Sequence, residues 1–168
     1  MINEMTIRKA TIDDLQQITK ILNQAIRWGK ATAITEEYKV TDREDWFRET
    51  NTGKYCIYVA EDEHQITGYL TLTPYRKGRQ AFIYTAEVSY FVDFDFHGKR
   101  IASKLMNRAL DHCKVYKIKT LVAFLMAHNE ASVKFMKKYG FELWGLFPQS
   151  ITINDKEFDH AIYGKRLT

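Results

Sequence analysis

Between residues 81 and 125 the chain changes its hydrophobic period twice, and no other feature limits the possible folds as sharply. Ala81–Val92 is rich in aromatic and β-branched side chains, the composition of a strand. Ile101, Leu105, Ala109 and Cys113 then recur every fourth residue, the apolar stripe of an amphipathic helix, with Lys104 and Arg108 off it. Thr120–Leu125 is again a short apolar run and reads as a buried strand.

The remaining pattern extends this alternation. Met5–Lys9 is a short strand candidate. Thr11-Ile-Asp-Asp14 opens a helix whose Leu15, Ile18, Leu22 and Ile26 carry it to about Ala25. Residues 27–40 are irregular, and Thr41 with Glu44 three residues on predicts a second capped helix. Tyr55–Glu61 and Ile66–Thr73 read as a hairpin, and Tyr75–Gln80 as a polar loop. Asn129–Lys138 is a short helix with Gly140 as its terminator. Phe141–Ile153 and Phe158–Arg166 close the chain as strands around Asn154-Asp155. The order β-α-α-β-β-β-α-β-α-β-β calls for both parallel and antiparallel pairs in an α/β sheet with helices on both faces. At 168 residues the expectation is one domain over 1–168.

Composition excludes several classes. Two cysteines, Cys56 and Cys113, cannot build a disulfide framework, and the five histidines show no zinc spacing. No apolar run has the length of a membrane span, and Met1–Met5 carries an acid and no apolar signal core, so a reducing cytoplasm is expected. Net charge is +4, but ten Lys/Arg against Asp111 and Glu130 place +8 between His97 and Gly140. That asymmetry suits a polyanionic ligand such as a phosphorylated cofactor or nucleic acid; the alternative is a set of solvated helix faces.

The stretch Val88-Ser-Tyr-Phe-Val-Asp-Phe-Asp-Phe-His-Gly-Lys-Arg-Ile-Ala-Ser-Lys-Leu105 runs from a strand through a glycine-containing turn into a helix. The first turn of such a helix offers unpaired N–H groups and the positive dipole end, which suits a pyrophosphate. Neither a Walker ending nor a Rossmann glycine triplet is present.

Here the residues resemble a known family. His97-Gly-Lys-Arg-Ile-Ala102 is similar to the Gln/Arg-x-x-Gly-x-Gly/Ala acyl-CoA motif of the GCN5-related N-acetyltransferase (GNAT) superfamily, with His97 at the first position and Arg100 at the central glycine. Asn129-Glu-Ala-Ser-Val-Lys-Phe-Met-Lys-Lys-Tyr-Gly-Phe141 resembles its second hallmark, Asn-x-x-Ser followed by Gly-Phe. Ile7-Arg-Lys-Ala-Thr11, Trp46-Phe47, Val59-Ala-Glu-Asp62 and Thr85-Ala-Glu-Val-Ser-Tyr-Phe-Val92 resemble the phosphinothricin-type acetyltransferases over nearly the whole length.

The resemblance implies the GNAT fold, a mixed and mostly antiparallel sheet of about seven strands flanked by about four helices. It implies acetyl-CoA as cosubstrate and no metal. It also implies an N-acetyltransferase acting on the primary amine of a small amino acid or analogue, phosphinothricin- or methionine-sulfoximine-like, by direct attack. Glu87 takes the role of general base, since an ammonium must lose a proton before it can attack. Phe91, Val92 and Asp93 would pair their backbone with the pantetheine arm. Gly98, Lys99, Arg100, Ile101, Ala102, Ser103 and Lys104 would cradle the pyrophosphate, and Asn129 would bond the arm. Arg100 in place of glycine requires a negative φ if its Cβ is to fit.

Met136 occupies the position where the family has a Tyr or His acid for the leaving thiolate, and methionine cannot donate a proton. Upstream of Glu87, the basic loop offers Arg76 and Arg79 as a fork for an acceptor carboxylate. Family members often form homodimers. Two other functions stay open: a protein N-terminal or lysine acetyltransferase, and a catalytically weak CoA-binding module suggested by Arg100 and Met136. A nucleic-acid-binding domain would call for clustered arginines among exposed aromatics, whereas the lysines here fall on helices. No membrane partner is expected.

Overall fold

The computed structural model describes residues 5–167. Seven strands form one sheet: β1 (Thr6–Lys9), β2 (Cys56–Asp62), β3 (Gln65–Pro74), β4 (Thr85–Val92), β5 (Thr120–Met126), β6 (Glu142–Ile153) and β7 (Lys156–Arg166). Their spatial order is β1-β2-β3-β4-β5-β7-β6. Every neighbouring pair is antiparallel except β4 with β5, the pair joined by a helical crossover. Four helices complete the fold: α1 (Leu15–Trp28), α2 (Glu44–Thr50), α3 (Ile101–Val115) and α4 (Glu130–Lys138).

Strand alternation divides the core. Ile57 and Val59 point to one face, where they meet Ile18, Leu22 and Phe47 of α1 and α2. Cys56, Tyr58 and Ala60 point to the other, against Leu105 and Ala109 of α3 and Met136 of α4. A fully buried Leu or Ile contributes about 1.5–3 kcal/mol, so both layers hold the sheet firmly. Two hairpins set the register. Glu63 and His64 (φ 48° and 67°), then Asn154 and Asp155 (φ 48° and 60°), take the left-handed pair of angles that two-residue turns need. Among the described residues, no helix is long and apolar enough to cross a membrane.

The structure corrects three local expectations. Residues 81–84 are not strand: Gln80–Phe82 form a 3-10 turn and β4 begins at Thr85, because Phe82 and Ile83 stand exposed where no neighbouring strand pairs with them. The second helix is not capped by Thr41; a 3-10 turn at Val40–Arg43 precedes it, closed by Asp42 Oδ2 accepting from the Lys39 amide at 3.1 Å. Helix α1 continues to Trp28, ending where Gly29 turns left-handed (φ 72°) and returns its N–H to Ala25 and Ile26.

Candidate active site

The parallel pair β4–β5 is bonded only from Thr85–Glu87 to Thr120–Val122. Past Glu87 the two strands part. By contrast, the opposite edge of β5 pairs with β7 along its whole length, Thr120 to Met126. The opening continues into a cleft of about 660 Å³, walled by Tyr90, Phe91 and Val92 of β4, the first turn of α3, Asn129 at the start of α4 with Ser132 and Phe135 on it, Trp28 at the end of α1 and Ala31 beyond it.

Backbone parity decides which β4 groups face this gap. Asp93 donates its amide to Thr67 O at 2.9 Å, toward β3. In an antiparallel pair the inward-bonding residues alternate, so Phe91 also spends its peptide groups on β3. Tyr90 and Val92 turn theirs to the open side. Of the three residues expected to pair with a ligand arm, Val92 alone has a backbone aimed at the cleft, and its carbonyl accepts from His97 Nε2 at 3.1 Å. Asp93 is buried instead. Its carboxylate accepts from the Asp95 amide at 3.1 Å and from Gln24 at 3.3 Å, fixing the turn that leads to α3.

That turn delivers a bare helix start. Gly98 (φ 83°) and Arg100 (φ 59°) are both left-handed, so the expectation of a negative φ at Arg100 is overturned. A non-glycine residue there costs on the order of 1 kcal/mol. No side chain caps α3, and its first backbone bond is Lys104 N to Arg100 O at 3.1 Å. The amides of Ile101, Ala102 and Ser103 precede that bond and lie on the cleft wall beside Gly98 and Arg100. Lys99 and Lys104 do not line the cleft: Lys99 Nζ sits 4.6 Å from the centre of the Phe96 ring, and Lys104 is exposed with its amide already used.

Across the gap, Asn129 Oδ1 caps α4 by accepting from the Ser132 amide at 3.3 Å, which leaves its NH₂ for the cleft. Tyr90 packs on Phe135 with ring centres 4.8 Å apart and donates to Ser132 Oγ at 3.3 Å. Met136 is wholly buried in the core. Tyr139, one turn further, places its hydroxyl 3.1 Å from Ser103 O and from Asn107 Oδ1, tying α4 to α3.

Glu87 is the last β4 residue paired to β5, opposite Val122 on one side and Thr73 on the other. It lies three residues, about 10 Å along the strand, from Tyr90 at the cleft wall. No described residue bonds or ion-pairs with its carboxylate, and burial raises its pKa above the ordinary 4.5. Its face of the sheet carries an aromatic surface that sequence reasoning missed. Phe124, two residues beyond Val122, stacks on Tyr75 (6.3 Å, 11°) and on His160 (5.4 Å, 28°), whose pKa burial lowers. The signal was tertiary: these three residues lie on three different segments. Arg76 and Arg79 are exposed on the turn after Pro74, the Cα partner of Ala86, and so stand at the Glu87 end of β4 rather than in the cleft.

The site thus combines a sheet split beside a parallel pair, an uncapped helix start at one end of the split and, at the other, a carboxylate with no bonding partner among the described residues. Residues 4–142 match the family model described as an acetyltransferase (GNAT) domain. YwnH of Bacillus subtilis (strain 168), provisionally named a phosphinothricin acetyltransferase, is 36% identical over 165 residues, covering 98% of this chain and all of YwnH. An L-methionine sulfoximine/L-methionine sulfone acetyltransferase of Pseudomonas aeruginosa is 31% identical over 147 residues, 86% of this chain and 84% of that protein. A solved structure from Salmonella typhimurium, yncA, provisionally called an acetyltransferase and determined with acetyl-CoA, superposes with a TM-score of 0.92 at 27% identity, covering 98% of this chain and 95% of that one. The chain belongs to the GNAT acetyltransferase family and has the GNAT fold. It is an N-acetyltransferase.

Proposed function

We propose that this enzyme moves an acetyl group from acetyl-CoA to the primary amine of a small amino acid or analogue of the phosphinothricin or methionine sulfoximine type, with Glu87 as the base. The observation that carries this reading is the position of Glu87: a half-buried carboxylate without a partner among the described residues, at the point where β4 and β5 separate. The cleft suits an acyl-CoA. The Ile101–Ser103 amides and the dipole of α3 would hold the pyrophosphate. Ala102 and Ser103 are small enough for its oxygens to reach the backbone. The gap-facing peptides of Tyr90 and Val92 and the NH₂ of Asn129 would hold the arm, and the positive charge of residues 97–140 favours the phosphates.

Acetyl-CoA supplies the activated carbonyl, and the chain positions and deprotonates the nucleophile. Because burial disfavours its charged form, Glu87 is a stronger base than an exposed glutamate. The stacked Tyr75, Phe124 and His160 offer an apolar wall on the same face, and Arg76 and Arg79 offer a planar cation for an acceptor carboxylate. The free, buried thiols of Cys56 and Cys113 accord with a reducing cytoplasm.

Glu87→Gln tests the reading. kcat/KM should fall about 10²–10⁴-fold, the range of general acid–base catalysis, while CoA affinity holds. The wild-type rate should rise with pH through a pKa above 4.5, and the variant should lose that limb. Wild-type turnover in the variant would remove Glu87 from the chemistry. An Arg76→Ala, Arg79→Ala double variant should lose a preference for an amino acid over its carboxamide, as read from thiol release.

A further inference from the structure

Breaking the thioester leaves negative charge on sulfur, and the position where the family carries a donor for it holds Met136. The structure shows that methionine buried in the core with no exposed surface. Tyr139 does not substitute, since its hydroxyl is committed to Ser103 O and Asn107 on α3. One phenol does stand on the cleft wall. Tyr90 projects from β4 toward α4, on the stretch of β4 between the cleft-facing Val92 and the carboxylate of Glu87. A thioester that is to meet an amine held by Glu87, with its phosphates at the start of α3, must pass Tyr90 to get there.

We propose that Tyr90 is the leaving-group donor of this enzyme, its hydroxyl bonding the sulfur as the thiolate forms. This rests on the reading of the cleft as the acyl-CoA site. The present partner of that hydroxyl, Ser132 Oγ at 3.3 Å, is at the long end for an O–H···O bond, so exchanging it for sulfur costs little. In the reaction the amine nitrogen bonds the carbonyl carbon, the C–S bond breaks, and its electron pair leaves on sulfur. Glu87 takes the proton that nitrogen releases, and the freed thiolate takes one from water. Tyr90 keeps its own proton throughout. Burial pushes its phenol up to about 12, well above a thiol's ordinary value of about 8.5, which makes it a lasting donor rather than a source of protons. A fixed donor aimed where charge develops needs no reorganisation at the moment of reaction, which makes such assistance effective.

Tyr90→Phe removes the hydroxyl and keeps the ring on Phe135. The probe is free CoA titrated on the enzyme by ultraviolet absorbance of the thiolate. In the wild type, the bound thiol should ionise about one pH unit lower than in Tyr90→Phe, the worth of one hydrogen bond to a charged acceptor. CoA affinity, by calorimetry, should stay within about threefold, while kcat falls about 10²-fold, the loss expected for one preorganised donor. Acyl donors with more acidic thiols should shrink that deficit. Ser132→Ala should leave the bound thiol as acidic as in the wild type, because it frees the Tyr90 hydroxyl. Equal thiol ionisation in wild type and Tyr90→Phe, or a loss in Ser132→Ala matching that of Tyr90→Phe, would overturn the assignment. Failure of wild-type enzyme to bind CoA would overturn the cleft reading instead, and the two failures cannot be confused.

Discussion

The two ends of α3 treat the same physical problem in opposite ways. A helix leaves unpaired donors at its start and unpaired acceptors at its end. At the start, Arg100 adopts a left-handed conformation, no side chain caps, and the amides of Ile101 to Ser103 meet the cleft. Near the other end the carbonyls of His112, Cys113 and Lys114 accept from the amides of Tyr116, Ile118 and Lys117. His112 Nε2–H donates to Lys54 O at 2.9 Å, so its Nδ1 is the acceptor for the Tyr58 hydroxyl at 3.0 Å, which fixes a neutral ring. Tyr116 stacks on that ring at 4.4 Å and returns its own amide to His112 O. The closed end anchors the helix to β2, and the open end can then be left unsatisfied without loosening it. One end anchors the helix and the other stays open, and the two tasks fall on separate residues.

Substitutions at the two ends should therefore separate cleanly. His112→Ala strands the Lys54 carbonyl and the Tyr58 hydroxyl in the core and leaves a cavity. A loss of about 3 kcal/mol in urea unfolding is expected, with CoA affinity of the folded protein within about twofold. Ala102→Val at the open end should do the reverse. On the proposed phosphate site, a branched side chain in the first turn should keep the oxygens from the amides and raise the CoA Kd by roughly 10- to 100-fold, an effect of about 2 kcal/mol. Its unfolding midpoint should move little, since valine costs only about 0.5 kcal/mol in a helix. If Ala102→Val unfolds the protein, or His112→Ala abolishes CoA binding, the two ends are not independent.

Arg100→Gly is a smaller effect of opposite sign. Relief of the left-handed strain should stabilise the fold by about 1 kcal/mol, seen as a raised Tm. The smallest effect is acid sensitivity. Burial, with Lys9 and Arg108 near, holds the His112 pKa below its ordinary 6.5. The unfolded chain therefore binds a proton that the folded chain refuses. Stability should be full above about pH 7 and decline as pH falls through 6.5, and His112→Ala should lose that slope.

Much of this arrangement could be read from sequence because its signals are local. The four-residue repeat from Ile101 to Cys113 determines both the extent of α3 and its buried face, and Asn154-Asp155 marks its hairpin by turn chemistry alone. Other features depend on neighbours distant in the chain. Phe82 and Ile83 have strand composition, yet they lack a partner strand and fall outside β4. Which β4 amides face the gap follows from the Asp93–Thr67 bond, which no β4 residue encodes by itself. The same holds for Tyr75, Phe124 and His160, brought together only by the sheet. Arg100 shows the limit of a motif: the conformation is the one glycine favours, and the chain adopts it with an arginine, held by Gly98 before it and the packed Ile101 after it.

The alternating backbone of β4 should give one strand two different lifetimes in deuterated water. The amides of Phe91 and Asp93, bonded into β3, exchange only when that part of the sheet opens. Those of Tyr90 and Val92, one residue away, face the gap and should exchange promptly. A ligand lying in the gap would slow the second pair and leave the first unchanged. Occupancy would then appear as an odd–even pattern along four consecutive residues becoming uniform, a record written in protons by the stretch of chain that has lost its neighbour on the β5 side.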